Sequence, residues 1–207
     1  MKGKFIVLEG IDGSGKSTQM LNLSKYIYQL SKDNDVLLTR EPTRHFRSSL
    51  RDTMKLSTNE NDNAGLFSKV FVEDRKKHLK DLIEPNLSQG VHVICDRYKM
   101  STLAYQSNQG IDLNLLVQRH EGMLIPDLTI LLDCSVDKTK SRRQAHEQEE
   151  VFDRASFEWT EKLRRTYLSL AKYELSSENI VVIDTSDNNP SEVFNLIIPH
   201  LLNLFKH

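Results

Sequence analysis

The chain lacks most of what would tie it to a surface or an oxidising compartment. Only two cysteines occur in 207 residues, Cys95 and Cys134, each inside or closing an apolar run. Two isolated thiols supply neither a disulfide framework nor a zinc site, and they predict buried, reduced side chains. Seven histidines show no spacing such as H-E-x-x-H, so no metal held by protein side chains alone is expected. No apolar run approaches the length that crosses a bilayer. The start, Met1-Lys2-Gly3-Lys4, leads straight into an apolar run and leaves no room for a signal peptide. Lys and Arg number 28 against 29 Asp and Glu, a net charge of −1, so no global field recruits nucleic acid or an acidic membrane. The expectation is a cytoplasmic chain with small-molecule partners, engaging no nucleic acid and no membrane.

What is present is concentrated near the start. Gly10-Ile11-Asp12-Gly13-Ser14-Gly15-Lys16-Ser17-Thr18 follows the apolar run Phe5–Leu8 and precedes a segment that reads as helix, Gln19 to Leu30. This is the strand–loop–helix setting of a phosphate-binding loop, G-x-x-x-x-G-K-[ST]. Glycines let successive main-chain N–H groups turn inward around a polyphosphate, where a Cβ would block the approach. The following helix aims its positive end at the same anion. Lys16 adds a mobile charge for the outer phosphates, and the Ser17 hydroxyl is placed to ligate magnesium. Gly10, Gly13, Ser14, Gly15, Lys16, Ser17 and Thr18 are thus candidate contacts to a nucleoside triphosphate.

Short, nearly continuous apolar runs recur between longer helical segments: Phe5–Leu8, Val36–Leu38, Val91–Cys95, Leu128–Leu132 and Ile180–Ile183. Continuity rather than alternation is expected of strands covered on both faces. The alternation predicts an α/β fold, a doubly wound five-stranded parallel sheet flanked by helices, in a single domain over 1–207. Ligands in such sheets sit at the carboxyl ends of the strands, and polarity rises at those ends here: Arg40-Glu41-Pro42, Asp96-Arg97-Tyr98, Asp133 and Asp184. Asp96 closes its strand in the manner of a Walker B aspartate, which holds magnesium directly or through water. Arg97, directly after it, is a candidate bidentate clamp for a second phosphate. Asn59–Gly65 reads as a loop, and Ser186–Pro190 as a turn before an amphipathic helix, Ser191–Phe205.

From Leu66 to Leu87 a helical period gives two rows expected to face the core, Phe67-Phe71-Arg75-Leu79-Ile83 and Leu66-Val70-Asp74-His78-Leu82. Asp74 and Arg75 interrupt them. Unpaired buried charge is costly, so either the two pair with each other, or the turn is exposed, or it borders a cleft. In the last case Phe71 and Arg75, one turn apart on one face, stack on and hydrogen-bond a nucleobase.

These residues carry a resemblance. Phe5 to Gln19, Thr39-Arg40-Glu41-Pro42, Phe71-Val72-Glu73-Asp74-Arg75, Asp96-Arg97-Tyr98, Ser101-Thr102-Leu103-Ala104-Tyr105-Gln106, Pro126-Asp127-Leu128-Thr129 and Phe152-Asp153-Arg154 follow one another as in thymidylate kinases. The phosphate loop is shared by many families, whereas F-x-x-D-R, D-R-Y and S-T-x-A-Y-Q in that order are specific. The chain therefore resembles enzymes that transfer the γ-phosphate of ATP, with Mg2+, to dTMP. The resemblance implies that Asp12 contacts the sugar 3′-hydroxyl, Phe71 stacks on thymine and Arg75 bonds its carbonyl edge. Arg40 and Arg97 would hold the dTMP phosphate, and Tyr105 would lie near the sugar 2′ position. Ser101, Thr102 and Gln106 would complete the base pocket. Arg142 resembles the arginine that packs on adenine, Asp184 onward the turn beneath it, and about 142–157 the lid over ATP. Similar enzymes are homodimers.

Two departures matter. Some members carry an arginine at the position of Gly13 that reaches the γ-phosphate, and this chain has none there. Others carry basic lids, while this one runs through Glu147-Gln148-Glu149-Glu150. Arg154, with Arg143 second, is then the expected donor of transition-state charge beside Lys16, Arg97 and the magnesium that Asp96 holds. The rival readings are a related kinase of another deoxynucleotide or nucleoside, and a nucleotide-binding protein without turnover. A regulatory GTPase would need an N-K-x-D element after a strand, which the chain lacks.

Overall fold

The computed structural model describes residues 2–47, 50, 53, 57, 59, 61–143 and 155–206, without the side chain of Arg143. Five strands, β1 (Phe5–Glu9), β2 (Val36–Arg40), β3 (His92–Asp96), β4 (Leu128–Asp133) and β5 (Ile180–Asp184), pair in parallel in the order β2-β3-β1-β4-β5. Each runs one or two residues further toward its C-terminus than the apolar run predicts, so the terminal Glu9, Arg40, Asp96, Asp133 and Asp184 belong to the ladder itself. Main-chain pairing carries these polar residues to a common rim.

Helices cover both faces because β1 is apolar on both. Ile6 and Leu8 pack with Leu23 and Ile27 of α1 (Lys16–Leu30) and with Ile197 and Leu201 of α8 (Pro190–Phe205). Phe5 and Val7 point the other way, onto Ile83, Leu87 and Tyr98. A third cluster joins Leu103 of α4 (Lys99–Asn108) and Leu116 of α5 (Leu113–Gln118) to Leu163 and Tyr167 of α7 (Phe157–Lys172). The chain moves from β1 outward to β2, back to β3, then across β1 to β4 and β5. The crevice where that direction reverses opens at the carboxyl end of β1, directly above the loop Gly10–Gly15.

The segment 66–87 is not one helix. α2 (Ala64–His78) passes through a π turn, Leu79–Ile83, into α3 (Glu84–Ser88). Pro85 explains the widening, since its ring would clash with the carbonyl four residues back in a regular helix. The two rows also differ. Phe67, Arg75, Leu79 and Ile83 are buried, whereas Leu66 in the second row is 49% exposed. Ahead of α8, Asn189 and Glu192 close a capping box around Pro190, which starts the helix where its missing N–H costs nothing.

Candidate active site

One cavity of about 800 Å³ runs along the carboxyl rim of the sheet. At one end lie Gly13 to Gln19, with Arg142, Thr185 and Asn188; at the other lie Arg40, Phe71, Arg75, Arg97, Ser101, Thr102, Tyr105 and Gln106, with Asp12 and Asp96 also on its wall. Residues spread from position 12 to 193 therefore line one cavity.

The loop end needs glycine at two points. Gly10 has φ 136° and a Cβ there would stand 2.4 Å from the Leu132 carbonyl oxygen. Gly13 has φ 85° and a Cβ would stand 2.9 Å from that of Thr139. Gly10 is buried behind the cavity wall rather than on it, so its part is to let the loop fold. Lys16 Nζ donates to the carbonyls of Gly10 and Ile11 at 2.9 and 3.0 Å and lies 3.9 Å from Asp12 Oδ1. Burial pushes its pKa down, and Arg97 adds to this. A polyphosphate would supply the counter-charge that these carbonyls supply only in part. The Ser14 hydroxyl is buried with no hydrogen-bond partner among the described residues, an open position in the same loop.

Arg97 organises the wall between the two ends. It sits at φ 72°, a strained backbone for an arginine, after β3. Its Nη2 donates to Asp12 Oδ1 at 2.6 Å and to the Tyr105 hydroxyl at 3.3 Å, and its Nη1 to Ser101 Oγ at 3.0 Å and Tyr167 at 3.3 Å. The guanidinium also lies 5.2 Å from the Tyr105 ring centre. Burial pushes the Asp12 carboxyl up, but Arg97 and then Lys16 outweigh it and hold the group well below the usual carboxylate range. Beneath this cluster Glu9, wholly buried, accepts from the N–H groups of Tyr98 and Ser101 and from Ser101 Oγ. Desolvation raises its pKa to about 7, against the pull of Ser101 and Arg97.

Asp74 and Arg75 are both buried and do not pair with each other, which corrects two of the three readings open from the sequence. Asp74 accepts from the Thr43 N–H at 2.7 Å and the Thr43 hydroxyl at 2.5 Å. Arg75 pairs with Glu41, Nε at 2.8 Å and Nη2 at 2.6 Å, donates from Nη2 to Thr102 Oγ1 at 3.0 Å, and lies 4.9 Å from the Tyr98 ring centre. The two helix charges thus grip consecutive parts of the turn that follows β2, and Arg75 borders the cleft. Glu41 also meets His78 Nδ1 at 3.1 Å. Glu41, His78 and Cys95 bring ligand-type atoms within 4.8 Å, but each is engaged: Glu41 by Arg75, His78 Nε2 by Thr39 Oγ1, and the Cys95 thiol by the Arg97 carbonyl. Both cysteines are free and buried.

Other expected residues fall as follows. Arg40 Nη2 donates to Asp96 Oδ2 at 2.7 Å, and Asp96 Oδ1 is buried with no partner among the described residues. Phe71 packs on Phe67 with ring centres 6.0 Å apart and faces the cavity beside Leu50. Gln106 is buried, its Nε2 bonded to Gln109 and its Oε1 without a partner among the described residues. Arg142 donates to the carbonyls of Thr185 at 2.7 Å and Gly13 at 3.5 Å, joining the phosphate loop to the β5 end. Asp184 is exposed and bonds the Ser186 N–H; Thr185 and Asn188 face the cavity in its place, because the last strand residue alternates outward. Asp133 pairs with Arg164 at 2.6 Å off the cavity wall. Arg154, the Arg143 side chain and residues 144–154 of the expected lid, about 142–157, lie outside the described residues.

Glu9, Glu41, Tyr167 and His120 are parts of the site that sequence reasoning missed. Glu41 carries a signal in the proline after it, and Glu9 in closing an apolar strand. For Tyr167 and His120 the sequence offers none.

The chain matches the family model for thymidylate kinase over residues 8–197. It is 38% identical to a probable thymidylate kinase of Pyrococcus horikoshii, across 99% of this chain and 100% of that one. It is 36% identical to a thymidylate kinase of Wolbachia pipientis, across 93% and 95%. Among solved structures it resembles the crystal structure of thymidylate kinase from Ehrlichia chaffeensis, with a TM-score of 0.75, 30% identity, and 97% and 100% of the two chains covered. With this geometry and these likenesses, the chain belongs to the thymidylate kinase family of phosphotransferases.

Proposed function

We propose that this chain transfers the γ-phosphate of ATP to dTMP, giving dTDP and ADP, and that Lys16, Arg97, Arg40 and a lid arginine supply the charge that makes the transfer fast. The observation that carries the reading is one cavity lined by the glycine-rich loop with Lys16 and, further along, by Arg40, Arg75 and Arg97 with Phe71, which supports an anion seat at each end. A monophosphate acceptor fits two arginines, Arg40 and Arg97, on one wall.

The acceptor is already an anion, so no strong base is needed, and catalysis is positioning with charge neutralisation. Lys16, buried with two of its three donors on carbonyls, turns to the outer phosphates. Arg97 exchanges part of its contact with Asp12 for the acceptor phosphate, which leaves the Asp12 carboxylate to accept from the sugar 3′-hydroxyl. Phe71 and Arg75 set the base, with Ser101, Thr102 and Gln106 around it, and the Tyr105 ring crowds the 2′ position. Arg142 holds the adenine end. The residues fit a magnesium ion: the Ser17 hydroxyl lines the cavity and Asp96 offers an unpartnered buried oxygen. When bound, the ion neutralises charge on the β- and γ-phosphate oxygens. Arg154, with Arg143 second, is the lid arginine of this reading, in a cytoplasmic homodimer with no nucleic-acid or membrane partner. No helix among the described residues is long and apolar enough to cross a membrane.

A coupled ADP-release assay with dTMP, dUMP, dGMP and thymidine tests this. Turnover fastest with dTMP supports it. ATP binding without acceptor-dependent ADP release, or faster turnover with another acceptor, overturns it.

A further inference from the structure

Arg75 is 2% exposed, with a buried guanidinium whose donors can be counted. Its Nε N–H donates to Glu41 Oε2, from which Nη2 lies 2.6 Å, and Nη2 donates to Thr102. Nη1 lies 2.5 Å from His120 Nε2. One Nη1 N–H is left without a partner among the described residues, on a side chain that borders the cavity beside Phe71.

His120 is placed by local structure. α5 starts at Asp112, whose carboxylate accepts from the Leu115 N–H, and the turn that ends the helix returns the His120 N–H to the Val117 carbonyl at 2.9 Å. The ring then meets the Leu116 carbonyl through Nδ1 at 2.6 Å. Each contact dictates the ring's state. The carbonyl only accepts, so Nδ1 carries the proton. An arginine only donates, so Nε2 must be bare. A second proton would set donor against donor and cation against cation. Accordingly, burial and then Arg75 push the pKa of His120 down to about 3, and the ring stays neutral across the working range.

We infer that His120 is a positioning residue for base recognition: as a neutral acceptor it fixes one N–H of Arg75 Nη1 and so aims the other at a carbonyl of the pyrimidine. The inference rests on the reading of the chain as a dTMP kinase, with Arg75 as its base-reading arginine. The guanidinium is planar and rigid and moves only as a whole; Glu41 and Thr102 hold its Nε and Nη2 side, and His120 holds the Nη1 side against a tilt of the whole plane. Without that acceptor one buried Nη1 N–H would be left unpaired, the whole fork would tilt to satisfy it, and the aim at the base would be lost.

The test compares His120→Ala and His120→Gln with the unaltered chain, measuring KM for dTMP, KM for ATP, kcat and Tm. The Gln side chain retains an acceptor oxygen. His120→Ala should raise KM for dTMP about tenfold, with kcat and KM for ATP changed less than about twofold. His120→Gln should recover most of the loss. In an Arg75→Lys background, which keeps the charge beside Glu41 but lacks the planar fork, His120→Ala should change KM for dTMP little further. The inference is overturned if KM for dTMP is unmoved in folded His120→Ala, if both KM values rise together, or if the same rise recurs in the Arg75→Lys background. Should both His120 variants fail to fold, nitrogen-15 NMR of the unaltered chain decides instead: a bare His120 Nε2 whose shift moves with dTMP and not with ATP would support the inference, and a protonated Nε2, or a shift indifferent to dTMP, would overturn it. No dTMP turnover by the unaltered chain would instead sink the functional reading itself.

Discussion

Arg40 Nη2 lies 2.7 Å from Asp96 Oδ2, so the residue proposed to grip the acceptor phosphate and the residue proposed to face magnesium hold each other. Arg40 is 46% exposed and Asp96 only 6%, so the arginine is the partner free to leave. An acceptor phosphate that drew Arg40 away would also free Asp96 Oδ2, one of the oxygens that would hold a magnesium ion. Arg40→Ala should raise KM for dTMP by roughly one to two orders of magnitude while kcat falls less, as for a clamp used already in the ground state. Steady-state kinetics with dTMP varied at saturating Mg·ATP checks this. Equal loss in kcat and kcat/KM would place Arg40 in the transition state instead.

Lys16→Ala and Arg97→Ala should each abolish useful turnover, with kcat/KM lowered about 10³-fold or more, because in the proposed mechanism both act where charge develops. Near-normal kcat/KM in either variant would remove its assigned role. Circular dichroism separates this from unfolding for Arg97, whose loss also leaves Asp12 without its 2.6 Å partner.

Glu9 makes stability depend on pH in a stated direction. Its folded pKa, about 7, lies above the ordinary 4.5. The folded state therefore binds the proton more tightly than the unfolded state does. The contribution is fully present below about pH 4.5 and is lost as pH rises through 7. Glu9→Gln keeps an acceptor for the Tyr98 and Ser101 N–H groups and does not titrate. The Tm of this variant relative to the unaltered chain should climb by several degrees between pH 5 and pH 8. A constant difference across that range would show that Glu9 is ionised throughout.

Gly13→Ala should lower stability by about 1–2 kcal/mol from the left-handed backbone alone, with more from the Thr139 carbonyl oxygen 2.9 Å from the new Cβ. Thermal denaturation measures it. An arginine at this position, as some members of the family carry, meets the same obstacle. If Gly13→Arg were as stable as the unaltered chain, the close approach of α6 (Val136–Arg143) to the loop would be wrong.

The fold was largely legible because it follows from local rules. Each apolar run between helices locates a strand, since a strand buried on both faces needs near-continuous apolar residues. The helix 66–87 was less so. Its period is right, but the widened turn before Pro85 and the exposure of Leu66 depend on packing that the period does not encode.

The linear chain by itself determined the phosphate loop, the five strands and the carboxyl rim where Asp96, Arg97 and Arg40 gather, because motif spacing and hydrophobic pattern act over a few residues. Only the tertiary structure decided how the charges are paired. Arg75 goes to Glu41, 34 residues away, and meets His120, 45 residues away, rather than its neighbour Asp74. A buried charge takes whichever partner the fold brings within hydrogen-bond reach, and consecutive residues on a helix point in different directions.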